Sequence, residues 1–149
     1  VSHTNSIHKI YICSIAAVRV LRSGDILVMY RTSDGLGSAY YRSVASSICT
    51  VEEVLTRASF STIDEYLNYC EAHSVFDRDS LIAFYNSNKP IYVLKMTYNA
   101  ALTKRLNRKA LIEEVGLDSA IYWGFFELSS EEFNRIIAKG EVNESIIIN

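Results

Sequence analysis

Three strand-forming segments precede the first helix signal, and this order constrains the fold more than any other feature of the chain. Residues 7–16 are rich in Ile and Tyr and partly alternate, as a β-strand does. Ile26-Leu27-Val28-Met29-Tyr30 is an unbroken apolar run closed by Arg31-Thr32, which predicts a buried central strand. Tyr40 to Leu55 alternates and is rich in Val, Ile, Ser and Thr, which predicts a long third strand. Only then does Thr62-x-x-Glu65 give a capping box, with Ile63, Tyr66, Leu67 and Cys70 on one helical face. A short helix over 77–86 follows, and Lys89-Pro90 breaks it. Residues 91–98 read as a strand, and Asn107 caps a helix from Arg108 to Val115 that Gly116 stops. Tyr122 to Leu128 reads as an aromatic strand, and Ser129-x-x-Glu132 opens a helix through Lys139, closed by Gly140. Ser145–Asn149 is a candidate edge strand.

Strands and helices do not alternate regularly. That disfavours a doubly wound parallel sheet and predicts an α+β domain with a curled or barrel-like sheet and helices packed outside. The length of 149 residues and 49% hydrophobic content suit one domain over 1–149, with a helical insert at about 61–87. No apolar run approaches the roughly 20 residues of a membrane-spanning helix, so no membrane role is expected.

The net charge of −2 argues against tight, general attraction to duplex DNA. The charge is nevertheless segregated. Lys89 to Lys109 holds six basic side chains and no acidic one, between acidic flanks. This is either a solvated surface balanced by neighbours or a local anion-facing surface. Cys13, Cys49 and Cys70 are odd in number and lack metal-binding or redox spacing. His3, His8 and His73 have no partner at zinc-ligand spacing. No metal, no cofactor and a reducing, cytoplasmic setting are therefore expected. The chain begins with Val, as a domain excised from a longer protein would.

No strong catalytic motif occurs, and no catalytic residue is assigned. The densest polar cluster is Tyr30-Arg31-Thr32-Ser33-Asp34, which a hairpin would set opposite Tyr40-Tyr41-Arg42-Ser43. A guanidinium closing a buried run needs a partner. Asp25, Asp34 or Glu52 would serve from within, and a phosphate, carboxylate or base edge from outside. Trp123 is the single Trp, inside Tyr122-Trp123-Gly124-Phe125-Phe126. It is either core or a platform for stacking a base. Lys95, Lys104, Arg105 and Arg108 would hold flanking phosphates, the last three at a loop–helix junction. Together these residues suggest a small pocket for a base, built from Tyr30, Arg31, Thr32, Arg42, Ser43 and Trp123.

The segment Ser23-Gly24-Asp25 followed by the apolar strand to Tyr30, and then Ser43 to Val54 ending Val51-Glu52-Glu53-Val54, resembles the PUA-like superfamily, its ASCH and EVE branches above all. Leu128 to Ile137 resembles the closing helix of a prokaryotic family of this type. The resemblance is best over about 7–55 and 90–128, and the insert at 61–87 is less typical. It implies a small twisted β-barrel with outer helices that recognises RNA or a modified base in nucleic acid, or a nucleotide-like small molecule. It also implies a neighbouring acetyltransferase-like domain. Some ASCH members are amidohydrolases of acetylated cytidine. The ASCH signature G-x-K-x-x-T-x-R does not occur here, so no catalytic residue carries over. Three functions follow as expectations. The first is a module binding nucleic acid or a modified base. The second is a small amidohydrolase using a set such as Thr32, Lys95 and Glu52. The third is a regulatory protein-interaction domain, as in acetyltransferase-like or toxin–antitoxin proteins.

Overall fold

The computed structural model describes residues 7–32 and 35–142. In chain order, β1 spans His8–Cys13 and a 3-10 turn covers Ala16–Val20. β2 spans Ile26–Arg31, α1 is a single turn at Ala39–Arg42, and β3 spans Val44–Thr56. Helices α2 (Ile63–Glu71) and α3 (Arg78–Asn86) precede β4 (Tyr92–Asn107). α4 begins at Arg108–Ala110 and widens into a π turn over Leu111–Val115, and α5 spans Ser130–Lys139. The fold is α+β. Among the described residues four strands form an antiparallel sheet in the order β1-β4-β3-β2, with β1 and β2 at the edges and no closure into a barrel.

The chain divides into two compact units, one of 7–25 with Thr50–Tyr98, the other of Ile26–Cys49 with 99–142. In the first, β1 pairs with β4 so that His8 faces Thr97, Ile10 faces Lys95 and Ile12 faces Val93. Alternation puts these six side chains on one face of the sheet. Its apolar members join Tyr66, Leu67, Cys70 and Leu81 of the two helices in one core. Thr62 caps α2 by accepting the Glu65 N–H, and Asp77 caps α3 by accepting the Ser80 N–H. Buried Tyr66 ties the helices together, its hydroxyl donating to the Leu81 carbonyl over 2.7 Å. The last carbonyls of α3 and the turn after it are satisfied by Arg57, which donates to Tyr85, Phe84, Ser87 and Lys89. The Ser23-Gly24-Asp25 turn needs Gly24, whose φ is +95°. It is locked to β3 by Gly24 N–H to Val51 O and Val51 N–H to Asp25 O, both 2.8 Å.

In the second unit, Leu102 and Leu106 of β4 pack with Ala45 and Ile48 of β3, Leu111 and Val115 of α4, and Ile136 and Ile137 of α5. The Ser129 capping box forms as the sequence predicts. Asn107 caps α4, and Gly116 ends the π turn at φ +96°.

Four sequence expectations need correction. β2 is an edge strand rather than a central one, and its residues Leu27 to Tyr30 are only half-buried. An apolar run cannot report which strand ends up with one neighbour. Tyr40–Arg42 is helical because the Ser38 carbonyl accepts both the Tyr41 and the Arg42 N–H. Local turn bonding overrides the β preference of Tyr there. β4 continues nine residues past Tyr98, to Asn107, through Asn, Ala and Lys positions of low strand preference that pairing recruits. Residues 122–128 form no strand. Gly124 lets the Tyr122 ring fold back over it, so close that a Cβ would stand 2.4 Å from that ring. Ser33, Asp34, His3 and the Ser145–Asn149 tail lie outside the described residues.

Candidate functional site

Three of the expected residues come together in the second unit. Tyr30 lies near the end of β2, Arg108 opens α4, and Trp123 lies in the irregular segment before α5. Asn107 fixes the start of α4, and the Arg108 N–H donates to the Ser43 carbonyl over 2.9 Å, which sets where the Arg108 side chain begins. Its Nε–H then donates to Tyr30 Oη at 2.7 Å. The guanidinium lies over two rings, 4.6 Å from the centre of Trp123 and 5.7 Å from that of Tyr30. The two rings pack on each other at 5.2 Å with a 34° tilt, and Phe126 meets Trp123 edge-on at 5.5 Å. The result is a planar cation stacked on an aromatic pair. Among the described residues Arg108 makes no ion pair, so rings and a hydroxyl hold its charge.

The other expected residues fall elsewhere. Arg31 and Thr32 are exposed, which removes the desolvation argument for Arg31, since β2 is an edge strand. Arg42 is exposed, with its aliphatic stem against Gly37. Ser43 is fully buried and its hydroxyl has no hydrogen-bond partner among the described residues. Lys104 and Arg105 are exposed but lie within β4 rather than at a loop–helix junction. As consecutive strand residues they project to opposite faces. The basic stretch is therefore not one continuous surface. Lys109 is paired with Glu113 at 3.0 Å, and Glu113 also accepts the Tyr40 hydroxyl. Those two partners hold the Glu113 carboxyl below its ordinary pKa.

Lys95 belongs to a second cluster, in the first unit. Glu52 Oε2 accepts from Thr97 Oγ1 at 2.8 Å and from His8 Nδ1 at 2.6 Å, and Lys95 Nζ stands 3.7 Å from Oε1. The register explains the meeting. His8, Thr97 and Glu52 sit on three adjacent strands, and Lys95 is two residues from Thr97, hence on its face. Burial alone would push the Glu52 carboxyl up. The hydrogen bonds from Thr97 and His8, and the charges of His8 and Lys95, more than offset it and leave the pKa below the ordinary value. An ionised carboxylate only accepts, so His8 Nδ1 carries the hydrogen. Lys95 also lies 5.9 Å from the Tyr69 ring centre, and His73 meets His8 edge-on at 5.8 Å. Single-strand reading missed His8 and Thr97 because their chemistry exists only across the register. The available signal was the Lys95-x-Thr97 alternation within a strand.

An open concavity of about 530 Å³ is lined by Ala16, Ala17, Arg19, Val20 and Arg22, and none of the expected site residues lines it. Among the described residues, no group of His, Cys, Asp and Glu side chains is placed to hold a metal, and no helix is long and apolar enough to cross a membrane.

No family model, curated protein or solved structure matches the chain.

Proposed function

We propose that the protein is a module that binds a base, in RNA or in another single strand, at the Tyr30–Trp123–Arg108 cluster. The observation that carries this reading is the stack of the Arg108 guanidinium on the Trp123 ring, beside the Tyr30 hydroxyl. Aromatic faces stack any base, worth about 1–3 kcal/mol each. A guanidinium supplies the planar donor fork that recognises a phosphate or a base edge. Exposed Lys104 and Arg105 stand near the end of β4, within four residues of Arg108, and supply positive charge for flanking phosphates. A PUA-like relationship, with the sheet open among the described residues rather than closed into a barrel, belongs to the same proposal. It is supported by the Gly24-Asp25 turn bonded to Val51 and by the long β3 that follows. The test is fluorescence anisotropy with short RNA and single-stranded DNA, with and without base modifications, at two salt concentrations. Binding that survives salt and is lost in both Arg108→Ala and Trp123→Ala supports the reading. Binding that salt abolishes, or that both variants retain, overturns it.

A second reading rests on Glu52. A carboxylate that accepts the Thr97 hydroxyl hydrogen next to Lys95 resembles an activated nucleophile with a neighbouring cation, which favours a small amidohydrolase acting on a modified nucleoside. Thr32 has no part in that set. Mass spectrometry of acylated nucleosides incubated with the protein tests it. Turnover lost in Thr97→Val and Glu52→Gln supports it, and no turnover overturns it.

A further inference from the structure

The concavity on the 3-10 turn belongs to the first unit and shares no residue with either cluster described above. Its shape follows from the run Ala16-Ala17-Val18-Arg19-Val20-Leu21-Arg22. A 3-10 turn stacks side chains that are three residues apart. Val18 is the buried side of the turn. Ala16 and Arg19 form one outward row, Ala17 and Val20 another, and all four are exposed. The two alanines leave a space that longer side chains would fill, and the concavity there measures about 530 Å³. Sites for small molecules hold roughly 300–1,000 Å³.

Both cations that border this space are held by the backbone. Arg19 Nε–H donates to the Ala16 carbonyl at 3.4 Å. Arg22 Nη1 donates to the carbonyls of Arg19, Val20 and Leu21 at 3.2, 3.2 and 3.3 Å. These bonds set where the two planar groups stand. They leave Nη1 and Nη2 of Arg19, and Nε and Nη2 of Arg22, without a partner among the described residues. Neither guanidinium makes an ion pair there. Asp25 is the acidic residue of this loop, and its carboxylate accepts the Arg22 backbone N–H at 2.7 Å. Residues 16–25 thus carry two cations and one anion. An arginine ordered before a ligand arrives loses less side-chain freedom on binding it.

We infer that this concavity binds a small phosphomonoester, with the phosphate at Arg19 and Arg22 and the carbon body over Ala16, Ala17 and Val20. One guanidinium fork satisfies a carboxylate, whereas a terminal phosphate has three acceptor oxygens and a charge near −2, and accepts from two. The alanine methyls and the Val20 side chain, 66% exposed, give apolar surface that a bare ion would not cover. The site stands apart from the base-binding reading, and neither needs the other.

The experiment is an NMR titration of the full chain with phenyl phosphate, benzoate and inorganic phosphate, read at the Nε–H signals of Arg19 and Arg22. Phenyl phosphate is expected to bind about tenfold more tightly than benzoate, the advantage of one further charge-assisted hydrogen bond, and more tightly than inorganic phosphate. Arg19→Gln is expected to weaken it about tenfold, and Arg19→Lys, which keeps the charge but not the fork, to weaken it as well. Arg22 also closes the end of the turn, so its replacement would test folding along with binding. Ala17→Glu keeps both arginines and sets a carboxylate in the concavity, and it is expected to abolish binding with the thermal melt unchanged. Benzoate binding as tightly as phenyl phosphate, full binding by Arg19→Gln or Ala17→Glu, or no shift at either Nε–H overturns the inference. A 5′-phosphorylated dinucleotide that binds these two arginines more tightly than phenyl phosphate assigns the phosphate to a strand end and overturns the small-molecule ligand.

Discussion

The guanidinium of Arg108 rests 4.6 Å from the centre of the Trp123 ring. This contact joins the first residue of α4 to a segment that has no regular structure of its own. Tyr30, 78 residues earlier than Arg108, completes it through the Nε–H bond to its hydroxyl. Three distant parts of the sequence therefore converge on one planar cation. Removing it in Arg108→Ala is expected to cost about 1–2 kcal/mol, from one hydrogen bond and one partly buried cation–π contact. Urea denaturation measures the cost, and a change in Trp123 emission locates it. An unchanged emission spectrum would show that the guanidinium does not lie on the ring in solution.

Glu52 makes stability depend on pH in a definite direction. Its folded pKa lies below the ordinary carboxylate value, taken as 4.5. A depressed folded pKa stabilises the protein above the unfolded value, and that stabilisation is lost as pH falls through the folded one. Glu52→Gln removes a charged acceptor bonded to Thr97 and His8, so it is expected to be less stable than the wild type by about 1–2 kcal/mol near pH 6. The gap is expected to close in acid, below the folded pKa. Urea midpoints for both proteins across this range check it, and a gap that stays constant with pH would count against the cluster.

All three cysteines are buried, and none is joined in a disulfide. Burial raises the Cys13 thiol pKa and pushes that of Cys70 up to about 12. The reactive thiolate is thus suppressed, and access is blocked as well. Ellman's reagent is expected to titrate three thiols in guanidinium, and to react at least about a hundredfold more slowly with the native protein. Rapid labelling of one thiol under native conditions would place that cysteine at the surface.

Gly140 and Gly124 are both crowded, with opposite consequences. A Cβ at buried Gly140 would stand 2.7 Å from Leu102 Cγ and 2.9 Å from the Ile136 carbonyl oxygen. The carbonyl belongs to the α5 backbone and cannot move aside, so Gly140→Ala is expected to cost about 1–3 kcal/mol. At Gly124 the obstacle is the far end of the exposed Tyr122 ring, which can swing away. Gly124→Ala is expected to stay within about 0.5 kcal/mol of wild type. Thermal melts of the two variants make the comparison directly.

Legibility in the sequence followed the range of the interactions. Capping at Thr62, Asn107 and Ser129 formed where the motifs predict, because a cap joins a side chain to a backbone N–H three residues away. Strand limits were less legible. β4 ends at Asn107 rather than Tyr98, because pairing supplied by other strands holds residues of low strand preference. The aromatic run at Tyr122 has strong strand preference but pairs with no strand among the described residues, and it turns instead. Of the expected base-binding residues, Tyr30, Arg108 and Trp123 meet, while Arg31 and Thr32 are exposed and Ser43 is buried.

The α+β class, the helix ends and the buried face of α2 were legible in the chain, since these depend on the period of a helix and on bonds within a few residues. Tertiary structure alone decided that β2 lies at an edge, that His8, Thr97 and Glu52 share a face, and that Arg108 reaches Trp123. Those outcomes depend on strand order and register, which are set by the packing of segments far apart in the chain and leave no mark on any one of them.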